Sequence, residues 1–98
     1  MDLKLVLPAE RIAAMQKAGW WGTRTLIDDL DDAARQVPDQ VAVTDWNSTS
    51  GQATTLSYRQ VKKLSERLGA GLAGLGVEKG DVVSFQLPNW WQFVALHL

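Results

Sequence analysis

Between residues 58 and 76 the chain carries the pattern that most narrows its folding options: Val61, Leu64, Leu68, Leu72 and Leu75 recur at three- and four-residue spacing. At about 100° per residue these side chains share one arc of an α-helix, and Arg59, Lys62, Lys63, Glu66 and Arg67 take the opposite arc. A helix with one apolar stripe must bury it against a second layer. Ser57, with Gln60 three residues later, forms a predicted capping box, and Gly76 before Val77 suits a C′ stop.

Inside this helix lies "GAGLAGLG", residues 69–76, whose first six residues read G-x-G-x-x-G. That spacing holds a pyrophosphate only on a tight turn that leaves a strand and opens a helix. Here the amphipathic register runs unbroken through Gly69 and Gly71, so the glycines fall in a helix interior. Each interior glycine costs about 1 kcal/mol relative to alanine. Gly71, at the edge of the leucine stripe, is therefore expected to admit a close neighbour, and the motif serves packing rather than a cofactor.

The flanking sequence supplies the layers. Pro8 opens a weakly amphipathic helix around Ile12 and Met15 that "GWWG" breaks after Gly19. Thr25 caps a second helix whose face is Leu26, Ile27, Leu30, Ala33, Ala34 and Val37, ending before Pro38. "VAVTDW", residues 41–46, alternates like a strand; a turn-rich "NSTSGQA" and a shorter extended "TTLS" complete a hairpin. After the central helix, "VVSFQL" at 82–87 reads as a further strand, and Asn89 caps a last helix through "WWQFVALHL". Strand–helix–strand order from Thr54 to Leu87 predicts a right-handed crossover, so the fold class is α/β, with helices packed on a small sheet.

Composition closes off several functions. Ninety-eight residues allow one domain with a modest core. Ten basic and eleven acidic residues leave a net charge of −1, which favours neither nucleic acid nor an anionic membrane as partner. Without cysteine there is no disulfide framework or thiolate chemistry, and a reducing, cytoplasmic location is expected. The start "MDLKLVLPAER" lacks the long apolar core of a leader, and no run approaches the roughly 18 apolar residues of a membrane span.

Isolated chemical candidates read as structural. Asp28, Asp29, Asp31 and Asp32 are hard-cation ligands by type, yet they lack a calcium-loop turn and suit the solvated start of a helix. His97 has no partnered carboxylate nearby in sequence. The tryptophan pairs lack the basic groove that base stacking uses, and residues 48–51 lack the lysine and helix of a phosphate loop. No catalytic, cofactor-binding or metal residue is assigned.

The last helix differs from the others: Trp90, Trp91, Phe93, Val94, Ala95, Leu96 and Leu98 surround its axis. A helix apolar on all sides must be covered. No stop signal follows, so the chain is expected to be cut in mid-element at Leu98, and the isolated polypeptide is expected either to self-associate through residues 89–98 or to leave that helix disordered.

The segment "LSYRQVKKLSERLGAGLAGLGVEKGDVVSFQLPNWWQFVALHL" resembles the early part of AMP-forming acyl-CoA synthetases, within the adenylate-forming superfamily. "LSY", "GVEKGDVVSFQLPN" and the aromatic helix carry the likeness, and "TLIDDLDDAARQVPDQVAVTDW" fits the preceding helix and first strand. "RIAAMQKAGWWG" is similar to the lead-in of a subgroup acting on short-chain, medium-chain or alicyclic acids such as cyclohexanecarboxylate. The resemblance implies a lead-in at 1–22, an α/β segment at 23–98 within a larger N-terminal domain, and a parent that is a fatty acid or related acid–CoA ligase using ATP, magnesium and coenzyme A. The remainder of that parent and a small carboxylic acid are the implied partners. The family's phosphate loop, adenine and ribose contacts and catalytic lysine have no counterparts in these residues, so the 98-residue chain is expected to be inactive alone. The alternative is an autonomous α/β interaction module whose last helix meets a partner.

Overall fold

A computed structural model describes residues 7–98; the opening six residues, and with them most of the leader question, lie outside the described residues. The elements run α1 (Ala9–Lys17), α2 (Leu26–Gln36), β1 (Val41–Asn47), β2 (Gln52–Ser57), α3 (Tyr58–Gly74) and α4 (Trp91–His97). They form an α/β unit in which β1 and β2 make an antiparallel hairpin, and α3 touches α2, α4 and both strands.

The caps explain where the helices start. Thr25 accepts the Asp28 N–H while the Asp28 carboxylate accepts the Thr25 N–H, a reciprocal pair that begins α2. Ser57 and Gln60 do the same for α3. The next free donors of α3 are met from outside: the Tyr58 N–H reaches the Gln40 carbonyl at 3.1 Å and the Arg59 N–H reaches that of Pro38 at 3.0 Å. The link between α2 and β1 is thereby fastened to the start of α3. At the other end, Gly76 at φ +92° lets its own N–H reach Ala73 and the Val77 N–H reach Leu72, a Schellman closure.

β2 begins two residues earlier than "TTLS" indicates, at Gln52, because the turn is tighter than composition shows. Asn47 holds it: its carbonyl accepts the Gly51 N–H, its side-chain oxygen accepts the Thr49 and Ser50 N–H groups, and Gly51 takes φ +70°. A bulge between Val41 and Val43 shifts the register at the far end of the ladder.

The core is small and central. Leu30 of α2, Val61 of α3 and Ala95 of α4 are 7%, 3% and 4% exposed. The leucine stripe of α3 is buried at its start and opens along its length, with Leu64, Leu68 and Leu72 half-buried and Leu75 83% exposed.

Three expectations require correction. Residues 82–87 form no strand, and the crossover is not made: the sheet among the described residues is the two-stranded hairpin, neither of whose strands pairs with them, and Val82 and Val83 stay exposed. Gly71 meets no close neighbour, since a Cβ placed there, or on Gly69 or Gly74, has nothing within 4 Å. Asn89 does not cap α4; Trp90 holds the cap position without a side-chain bond, and the first free N–H is met from β1.

Candidate functional site

The junction of β1, β2 and α4 is organised by Asp45. Alternation along β1 turns Thr44 and Trp46 outward and Asp45 inward, where it is 9% exposed. Burying a carboxylate is costly unless its oxygens are paired. Here Oδ1 accepts the Thr54 N–H across the ladder at 3.2 Å, and Oδ2 accepts the Trp91 N–H at 2.7 Å. One side chain thus completes the hairpin and supplies the missing cap of α4, 46 residues away. With both oxygens engaged by backbone donors, Asp45 is a structural pin and not a free base. An acid alone among apolar and hydroxyl neighbours in "VAVTDW" is the sequence signal for it.

Beside this junction two shallow grooves adjoin. One, about 310 Å³, has Leu26, Leu30, Val61 and Val94 among its walls; the other, about 230 Å³, runs between Ile27 on α2 and Ser65 on α3. Leu30 and Leu98 border both. Leu26 remains 64% exposed although it begins the apolar face of α2.

Asp28 is used in the cap of α2, and its other aspartates pair with cations. Arg24 pairs with Asp29 at 2.8 Å and Asp32 at 2.7 Å, Arg35 also pairs with Asp32, and Lys62 of α3 reaches Asp31 at 3.1 Å. The hydrogen bonds from Arg24, then Arg35, hold the Asp32 carboxyl below its ordinary value, and the same contacts with Asp29 and Asp32 raise Arg24. Among the described residues, no group of three or more histidine, cysteine or acidic side chains is arranged to hold a metal ion.

The remaining candidates are packed or self-satisfied. Gly69, Gly71 and Gly74 lie within α3, so no strand-to-helix phosphate turn exists there. In the 48–51 loop the Thr49, Ser50 and Gly51 amides, which an anion would require, are taken by Asn47. The His97 Nδ1–H donates to the Phe93 carbonyl at 2.8 Å, and its ring lies 4.5 Å from that of Phe93 and 5.3 Å from that of Phe85. Trp90 and Trp91 are half-buried at the Asp45 junction, while Trp20 and Trp46 are exposed. No helix among the described residues is long and apolar enough to cross a membrane.

Comparison with known proteins identifies the framework. The family model described as AMP-binding enzyme matches residues 30–98. The chain is 45% identical over 88 residues to a salicyl-AMP ligase / salicyl-S-ArCP synthetase of Mycobacterium tuberculosis, covering 90% of this chain and 15% of that protein. It is 32% identical over all 98 residues to a medium-chain fatty-acid–CoA ligase of Escherichia coli, 16% of whose length is covered. A 2,3-dihydroxybenzoate-AMP ligase of Bacillus subtilis is 36% identical over 86 residues, with 88% of this chain and 15% of that protein aligned. No solved structure matches significantly. The matched residues 30–98 take in the whole Asp45 junction and all of β1, β2, α3 and α4, and on that match the chain belongs to the AMP-binding enzyme family.

Proposed function

We propose that this chain is the N-terminal scaffold of an ATP-dependent, AMP-forming ligase. In such a parent a carboxylate oxygen attacks the α-phosphorus of ATP and pyrophosphate leaves; a thiol then attacks the acyl carbonyl and AMP leaves. Magnesium and positioned donors must stabilise the developing phosphate charge. The observation that carries the proposal is the family match across residues 30–98, combined with relatives of which the chain spans only 15–16%. Residues 1–22 form the lead-in and 23–98 the first α/β part of the N-terminal domain, whose contribution is the hairpin, α3 and the Asp45 pin. The rest of the parent, cytoplasmic in this reading, supplies the phosphate and acyl contacts.

An aromatic acid is the favoured substrate, because identity is higher to the salicyl-AMP ligase, 45%, than to the fatty-acid ligase, 32%. A medium-chain fatty acid is the second reading, supported by alignment over the entire 98 residues. The acceptor thiol is coenzyme A or a carrier-protein thiol. Carboxylate-dependent exchange of pyrophosphate into ATP tests the proposal. The 98-residue chain alone is expected to give none, and the polypeptide of the continued reading frame is expected to give exchange with salicylate above octanoate. Exchange by the short chain would refute the scaffold role, and absence of exchange from the continued polypeptide with any acid would refute the ligase.

A further inference from the structure

We propose that the groove between the end of β2 and the exposed side of α3 is a docking site for an acidic, amphipathic helix of a partner protein, which seats an apolar side chain between Leu56 and Leu64 and sets carboxylates against Lys63 and Arg67. This groove shares no lining residue with those along α2 and does not depend on the ligase reading.

Two elements build the site. Its cavity, about 230 Å³, is lined by Leu56 at the end of β2 and by Gln60, Lys63, Leu64 and Arg67 of α3. Leu56 and Leu64 are half-buried and supply the apolar wall, and Gln60, Lys63 and Arg67 are exposed around it. Lys63 and Arg67 stand about one helical turn apart, roughly 6 Å along the axis, and so share a face.

Charge defines the occupant. The neighbouring cations of α3 are used within the chain: Arg59 pairs with Asp39, and Lys62 with Asp31 and Glu66. Among the described residues neither Lys63 nor Arg67 has an ion-pair partner, so the groove offers two uncompensated positive charges beside carbon. Carboxylates at i and i+4 of a helix repeat the same spacing of roughly 6 Å, with an apolar side chain at i+3 on the same side. In an extended segment the residue between two such carboxylates points away. Two cations on a chain of net charge −1 are too few for a nucleic-acid phosphate track. The α2 acids of a second copy already pair with Arg24, Arg35 and Lys62. A permanent cover would have to desolvate both cations, whereas a partner that comes and goes uses them to steer its approach and fix its register.

Titration of the isotope-labelled 98-residue chain, read by the shifts of its backbone amides, tests this. The probe is a helical peptide about four turns long that carries leucine at i+3 between glutamates at i and i+4; a second peptide has lysine in place of both glutamates. The glutamate peptide should shift the amides of Leu56, Gln60, Lys63, Leu64 and Arg67, and the lysine peptide should not. Lys63→Glu combined with Arg67→Glu should weaken binding about tenfold or more. Arg59→Glu, outside the groove, should change it less than about twofold. Circular dichroism of the double variant separates lost charge from lost fold, and if helix is lost the two peptides against the unsubstituted chain still decide. No shifts at these residues, an equal response to both peptides, or equal weakening by Arg59→Glu would overturn the proposal. So would tighter binding of a single-stranded oligonucleotide or of phosphatidylserine vesicles, or shifts at the same residues on concentrating the chain alone, which would assign the face to another class of partner or to a second copy.

Discussion

The two ends of α3 live in different surroundings. At its start, Val61 is buried, Ser57 and Gln60 exchange caps, and the Gln40 and Pro38 carbonyls meet its first N–H groups. At its end, Leu72 is only half-buried, Leu75 and the three glycines face open space, and residues 82–87 follow without a strand partner. The same amphipathic repeat runs through both ends. Periodicity declares which face wants cover, while the partner layer decides whether it receives any.

The comparison breaks first at the core. Leu30→Ala should cost about 2–5 kcal/mol in the 98-residue chain by urea unfolding, whereas Leu75→Ala, on the open end of α3, should stay within about 0.5 kcal/mol. Equal losses would mean that the open end is covered, for instance by the self-association expected through residues 89–98, and sedimentation across a concentration range would then show a dimer or larger species.

The Asp45 pin comes next. Asp45→Ala leaves the Thr54 and Trp91 N–H groups without their acceptor and should cost about 1–3 kcal/mol, with tryptophan emission shifting as the start of α4 loosens. Asp45→Asn keeps one carbonyl oxygen and should fall between alanine and wild type. No change in either variant would remove Asp45 from the account.

Gly71 sharpens the contrast. With nothing near its missing Cβ, Gly71→Ala should stabilise the short chain by up to about 1 kcal/mol, and Gly71→Leu should be tolerated there. In the longer parent, a layer over this face would make Gly71→Leu cost about 1–3 kcal/mol by overpacking. Tolerance in both contexts would show that the glycines are not kept for packing.

The smallest expected effect is electrostatic. Asp32 is held below its ordinary value of 3.8 in the folded chain, so its contribution is present above that value and is lost as pH falls through the lower folded one. The pairs are exposed, so the loss should be slight. Arg24→Gln should shrink the acid-side slope of stability against pH; an unchanged slope would dismiss the Arg24 contact.

Helices, the caps of α2 and α3 and the hairpin were legible because their causes are local: Thr25 ahead of its apolar face, Ser57 with Gln60, Gly76 after the last leucine of the stripe, and alternation through 41–46. The Asp45–Trp91 bond was not, because no local pattern joins residues 46 positions apart, and Asn89 stood in the ordinary cap position. The strand expected at 82–87 had the right composition, but a strand needs a neighbour, and composition does not state where that neighbour comes from. The Arg24 pairs with Asp29 and Asp32 were missed for a plainer reason: Arg24 precedes the helix and lies outside its periodic pattern.

Amide hydrogen exchange tests most directly the claim that this is one closed junction beside an uncovered layer. In the 98-residue chain the Thr54 and Trp91 amides, both held by Asp45, should exchange slowly and those of residues 82–87 rapidly. In the continued polypeptide residues 82–87 should become as slow as Trp91. Slow exchange at 82–87 already in the short chain, or rapid exchange there in both, would contradict the account.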